Sequence, residues 1–457
     1  MRQVSIRLRP QILTPAVVLA IVTALARPAV TQSSTAGFVG ESRCANPTCH
    51  GAGLPASDAQ RGSWRPWKSA RTQWLNHNID RHSDAYNVLD TPRAKAIADY
   101  MAVSATGSDK CLLCHAPAAI LAPDSRFERK EGVSCEHCHG AAQEWLKPHV
   151  EKDWQQKKID YAGKGFYDNS DFRKRAEKCA TCHVEIDHEI VAGGHPPLQF
   201  EMVAYAQIMK HWDDLAGESP NAFSVDPTLW SIGQVVGLQH VMQMLVRRAG
   251  DSNYQGLGKF HGFEDKNCYQ CHHKLLDDAL RLGLGHYRMV TFIVAALLPA
   301  RQSDISSQWN DVVAAVHTGA AQAEAKATRF VETLATISSQ LSEHRLDQEG
   351  TRRILERLTD AGDELKQIKR FGYTRQPRSN VADIDNIGTP WWYTTGAPEQ
   401  AILAIESLCE PALPGRCNGP KGIDTELRQL LTAANRFDYR PDAFAQALRA
   451  VHARLFR

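Results

Sequence analysis

The chain has 457 residues, 43% of them hydrophobic, with 53 Lys and Arg against 51 Asp and Glu and a formal net charge of +2. That near balance excludes the strongly basic surface of a nucleic-acid binder, and the length allows more than one core. The unusual counts are 12 Cys and 19 His.

Residues 1–26 read as a secretory signal peptide. Arg2, Arg7 and Arg9 form a basic start, residues 12–26 are apolar, and Ala24, Leu25 and Ala26 close the run with a small-residue cleavage pattern. A spanning helix needs about 20 apolar residues, so an uncleaved N-terminal anchor is the lesser reading. Removing the three arginines takes the charge from +2 to about −1. The expected location is periplasmic or otherwise exported. Residues 289–300 are apolar but short, and predict a buried helix.

Five Cys/His strings follow. The first is stretched, CANPTCH (Cys44, Cys49, His50). The others are CLLCH (Cys111, Cys114, His115), CEHCH (Cys135, Cys138, His139), CATCH (Cys179, Cys182, His183) and CYQCH (Cys268, Cys271, His272). In Cys-x-x-Cys-His, two thiols add to the vinyl groups of a porphyrin and the His supplies the proximal nitrogen to iron. Five covalent haems c are expected, or four if Cys44 and Cys49 form a disulfide instead. Zinc also binds such Cys pairs, but a His directly after each pair, together with export, favours haem. Each oxidised haem with its two propionates adds negative charge, so the mature protein is expected to be acidic and to avoid nucleic acid.

The sixth ligand decides what an iron can do. A second His saturates it for electron transfer, whereas a vacant position permits ligand chemistry. Eleven further His precede residue 290: His77, His82, His137, His149, His188, His195, His211, His240, His261, His273 and His286. His137 lies between two motif cysteines and His273 follows a proximal His, so both are expected to be non-ligands. Either His77 or His82 is expected to bind iron, not both. His195 stands in GGHPPLQFE, where Gly and Pro make a rigid loop, with His211 as its alternative. His240 is a candidate for the second or fifth haem, in competition with His261 and His286.

The fold class expected is mainly α, a loop-rich multihaem core followed by an antiparallel helical bundle. Residues 37–290 hold every motif. Within them, 230–248 predicts an amphipathic helix. Residues 291–457 hold only three His, and predict helices over 305–345, 350–370, 397–408, 424–435 and 441–455, with a Pro/Gly/Asn-rich crossing at Trp391 and Trp392. Cys409 and Cys417 flank a Pro/Gly loop, and a disulfide is the default for such a pair in an exported chain.

The stretch 39–201 resembles the tetrahaem cytochrome c-554 family, electron acceptors from hydroxylamine oxidoreductase. The resemblance is carried by FVGESRC, HSDAYNVL, CLLCH, GVSCEHCHGAA with His149 ten residues after His139, and KCATCH, in that order. It implies His82 as the distal ligand of the Cys179/Cys182 haem and His149 as that of the Cys44/Cys49 haem. For the Cys135/Cys138 haem it implies a His downstream of the fourth motif, here His195. It leaves the Cys111/Cys114 haem without a protein distal ligand. The stretched first motif, the fifth motif and the C-terminal helices depart from the family.

Two functions are then expected in order. The first is an electron relay between other redox proteins, one as donor and one as acceptor, with a membrane-associated partner compatible and no catalytic residue. The second is an oxidoreductase acting on a small nitrogen or oxygen species at an open Cys111/Cys114 haem. Asp109, Lys110 and Asp124 are the acidic and basic groups near it.

Overall fold

The computed structural model describes residues 37–44, 82–121, 129–184, 186, 190–191, 193–196, 198, 200–208, 226–250, 281–360, 397–418, 422–434 and 440–456. The signal segment, Cys49, His50, the fifth motif and the candidates His77, His211 and His261 lie outside them. So do Asp124, Trp391 and Trp392. The described residues are helical, with no strand among them.

The longer helices are α1 (Pro92–Tyr100), α2 (Asp109–His115), α3 (Cys135–His139), α4 (Phe172–His183), α5 (Met202–Ile208), α6 (Pro227–Gly250) and α7 (Arg281–Leu297). They continue as α8 (Gln302–Thr318), α9 (Ala320–Glu343), α10 (Gln348–Thr359), α11 (Ala397–Ala412), α12 (Asp424–Ala433) and α13 (Pro441–Phe456). Their starts follow local chemistry. Thr91 caps α1 by accepting from the Ala94 N–H, with Pro92 as the first helical residue. Asp171 accepts from the N–H groups of Arg173 and Lys174 to start α4, and Asp347 accepts from Gly350 to start α10.

Helix α6 is the axle of the fold. It was expected to be amphipathic, yet it is buried on almost every side. The reason is tertiary: α4, α5, α7, α9 and α11 all pack on it. Gly233 and Gly237 make this approach possible. A Cβ at Gly233 would collide with the Met202 side chain, and one at Gly237 would lie 2.7 Å from the His286 ring. On α9, Ala323, Ala327, Phe330, Leu334, Ile337 and Leu341 are buried at alternating spacings of four and three, the stripe that faces α6.

Residues 305–345 were expected as one helix, and they form two. Gly319, at φ 156° and ψ 163°, ends α8 and opens α9, and the two helices pack on each other. That dihedral pair is open to Gly because it has no Cβ. Tyr287 of α7 stacks on Trp309 of α8, with centroids 4.2 Å apart and planes at 9°. The division at residue 290, placed from the distribution of His, falls inside α7. One apolar cluster runs through it from Ala176 in α4 to Leu455 in α13. Cys409 and Cys417 form a disulfide with Cα atoms 5.8 Å apart. Among the described residues, no helix is long and apolar enough to cross a membrane.

Candidate haem-binding site

The motifs CLLCH, CEHCH and CATCH each occupy the last turn of a helix, α2, α3 and α4. Helical spacing sets the two Cys of each motif one turn apart. The seven described motif cysteines form no disulfide and are partly exposed. This differs from the structural pair Cys409 and Cys417, which is buried.

Each motif is held by backbone contacts. In CEHCH, the Glu136 carboxylate accepts from the N–H groups of Val39 at 3.0 Å, Gly40 at 2.9 Å and Ala142 at 2.7 Å. Burial pushes this carboxyl up from its ordinary range, while the same three N–H donors pull it back. Glu131 accepts from the Glu41 N–H at 2.9 Å. Together the two carboxylates clamp the segment that carries Cys44 onto the third motif, and the Cys44 and Cys135 thiols come within hydrogen-bonding reach. The sequence reading passed over Glu136 and Glu131. Their only signal was an acid placed inside or just before a haem motif.

Two further links join the motifs. The Asn169 side chain donates to the Cys138 carbonyl at 2.7 Å, and the Tyr167 N–H donates to the His139 carbonyl at 2.8 Å. Gly140, at φ 82°, lets the chain pass against the Gly165 carbonyl, a spot that a Cβ would occupy. These contacts tie α3 to the approach to α4, and Cys138 lies close enough to Cys179 to act on its thiol. Cys114 and Cys182 are also within hydrogen-bonding reach. The thiols therefore place Cys44 beside the third motif, the third motif beside the fourth, and the fourth beside the second.

The His residues sort into distinct roles. The ring of His82 stands 6.0 Å from that of His183, centroid to centroid, at 75°. Burial first, and then His82, push the His183 pKa down to about 4, so its imidazole is neutral, the form that binds metal. Two imidazoles on opposite faces of one iron need centroids about 6 Å apart, from two metal–nitrogen bonds of about 2 Å and two ring radii of about 1 Å. His82 lies in a single turn, His82–Asp84, whose first carbonyl accepts from Ala85 and Val133. Gly132, at φ 65°, allows that approach, since a Cβ there would lie 2.6 Å from the His82 carbonyl. Three residues on, the Ala85 carbonyl accepts from Nδ1 of His115 at 2.6 Å. This leaves Nε2 of His115 as its free lone pair, the arrangement that orients a metal-binding His. One short segment thus serves two motifs.

His149 donates from Nδ1 to the Leu146 carbonyl and stands edge-on to Trp145 and Trp154. Its implied partner His50 lies outside the described residues. The Trp145 indole N–H is buried and has no hydrogen-bond partner. Such an orphan donor suits the acidic edge of a porphyrin. His137 is turned to the backbone. Its two ring nitrogens face the N–H groups of Ser134 and Ala118, both at 2.9 Å, and burial drives its pKa to about 4. A neutral imidazole has one acceptor nitrogen, so one of these contacts at a time is a full hydrogen bond.

His286 is fully buried, and donates from Nδ1 to the Gln234 side-chain oxygen at 2.8 Å. Gln234 donates to Gln400 at 2.9 Å, and Gln400 donates to the Phe200 carbonyl at 2.9 Å. Its ring packs against Gly237 of α6. His286, weighed as a ligand for the fifth haem, packs between α6, α7 and α11, and the fifth motif lies outside the described residues. His240 is buried in α6 and acts on Glu177 of α4. Its candidate fifth haem lies outside the described residues.

His195 was expected to serve the Cys135/Cys138 haem. Its ring stands 6.4 Å from that of His115, centroid to centroid, at 75°. Its loop is anchored on α1, the helix that also packs on the second motif.

The donor set fits haem c on three counts: paired Cys on helix ends, neutral His with one nitrogen tied to a carbonyl, and paired rings at the spacing one iron needs. A family model for cytochrome c554 and c-prime matches residues 48–140. The match covers about a fifth of the chain and includes the second and third motifs. Comparison with curated proteins and with solved structures gives no match. The matched segment is similar to cytochrome c554, and this supports a c-type cytochrome in electron transfer with covalently bound haem.

Proposed function

We propose that this chain is an exported multihaem cytochrome c that relays electrons between two redox partners through closely packed, mostly bis-His haems. Covalently held haem supplies reversible one-electron chemistry at iron. The protein contributes attachment, axial ligands and close spacing. The observation that carries the reading is the pairing of His82 with His183 at 6.0 Å, next to a run of motif thiols that adjoin one another. The run orders the motifs as first, third, fourth, second, so the relay has two ends. Cys44 lies at one end, for which the family resemblance implies His149 as a ligand, and Cys111 and His115 lie at the other. His149 and His115 each have Nδ1 tied to a backbone carbonyl, which fixes the orientation of each ring.

The fifth haem at Cys268, Cys271 and His272 belongs to this proposal, as does export. The typical exported location of c-554-like proteins supports the second.

Intact mass and protein-film voltammetry test the reading together. Five haem increments are expected on a chain that lacks residues 1–26, with several reversible one-electron waves. Rapid reoxidation of the reduced protein by nitrite, hydroxylamine or nitric oxide, with turnover, would replace the relay by an enzyme. A chain without haem increments would remove both.

A further inference from the structure

We infer that His195 is the distal ligand of the haem anchored by Cys111 and Cys114, so this iron is closed rather than open to substrate. The inference rests on the reading of CLLCH as a haem site, and departs from what the family resemblance implies for it.

Three observations converge. The first is spacing. The His115 and His195 rings stand 6.4 Å apart, close to the 6.0 Å of His82 and His183, and both pairs cross at 75°. The second is the tautomer of each ring. Nδ1 of His115 donates to the Ala85 carbonyl at 2.6 Å, and Nδ1 of His195 donates to the Pro196 carbonyl at 2.8 Å. A carbonyl only accepts, so both protons sit on Nδ1 and both rings keep Nε2 for a metal.

The third observation is the built loop. The His195 N–H donates to the Ile190 carbonyl at 3.1 Å, and the Gly194 N–H to the Val191 carbonyl at 3.0 Å. Arg93 of α1 donates to the Gly194 carbonyl at 2.8 Å. A Cβ at Gly193 would sit 3.2 Å from Ile97 and Tyr100, and Gly194 adopts φ 106°. The loop therefore lies flat on α1 in a conformation that suits Gly. The opposite side of α1 joins the second motif, because Ala98 packs in one cluster with Leu112 and Ala116. A single rigid helix thus holds both axial nitrogens in register.

Electron paramagnetic resonance of the oxidised holoprotein tests this. In His195→Gly, one haem is expected to pass from low to high spin and to bind cyanide, and added imidazole should restore the low-spin signal. In a Cys111→Ser/Cys114→Ser background, the same substitution should change nothing. Unchanged spin in His195→Gly would overturn the inference. So would a high-spin signal that persists in the double-Ser background, which would assign His195 to another haem. Should that background fail to fold, a holoprotein crystal structure decides: His195 Nε2 on the His115 iron supports the inference, and on any other iron, or none, sinks it. A full haem count with the wrong ligand defeats only this inference. Absence of haem increments defeats the relay reading beneath it.

Discussion

Around the second motif, the buried apolar residues are Leu89, Ala98, Ala105, Leu112 and Ala116, mostly alanines. In the region 281–456, the core holds Trp309, Phe330, Leu334, Ile354, Ile405, Phe444 and Leu448, and it is continuous with α6. The first region spends its buried contacts on polar anchoring: Glu136 to three N–H groups, Asn169 to Cys138, His115 to Ala85. The second spends them on side-chain packing. Small apolar clusters bury too little area to offset chain entropy, so the first region needs porphyrin to complete its core. The C-terminal helices share one extensive apolar cluster with α6.

This contrast breaks most clearly when haem is withheld. Expressed without haem attachment, the chain should be cut by protease first within residues 82–208, while a fragment from α6 onward survives with its helical signal. Equal digestion of both regions would show that the first has a core of its own. A smaller perturbation probes the other side. Phe330 is fully buried against α6, so Phe330→Ala should cost about 4 kcal/mol in urea denaturation of the holoprotein, with haem optical bands unchanged below the transition. A loss under about 1 kcal/mol would mean the α6–α9 interface is not the main core.

The smallest expected effect sits where the two regions meet. Glu201 caps α5 by accepting from the N–H groups of Val203 and Ala204, and burial raises its carboxyl to about 7. An unfolded Glu titrates near about 4.3, so folding favours the protonated form. The stability it contributes is complete below that value and is lost as pH rises through about 7. Between pH 5 and 8, wild type should lose on the order of 3 kcal/mol relative to Glu201→Gln. Parallel pH profiles for the two proteins would show that Glu201 is solvated after all.

Legibility also differed between the regions. The C-terminal helices were readable because their apolar residues repeat at helical spacing: 397–408, 424–435 and 441–455 were expected, and Ala397–Ala412, Asp424–Ala433 and Pro441–Phe456 are found. The Cys409–Cys417 pair was readable from its spacing and from the expectation of export. Gly319 was missed because a lone Gly inside a periodic pattern is compatible with a continuous helix. Helix α6 was misread because periodicity measures one chain and not how many neighbours surround it.

By itself the sequence determined the chemistry of the haem motifs. Covalent attachment and the proximal nitrogen depend on residues adjacent in the chain, so Cys111, Cys114 and His115 carry that information without any fold. Only the tertiary structure decided which His rings stand together. A distal ligand is chosen by three-dimensional approach, and many His compete for each iron. The loop at Gly193 and Gly194, held on α1 by Arg93, turned His195 toward His115, and the glutamine chain to Phe200 drew His286 into the core.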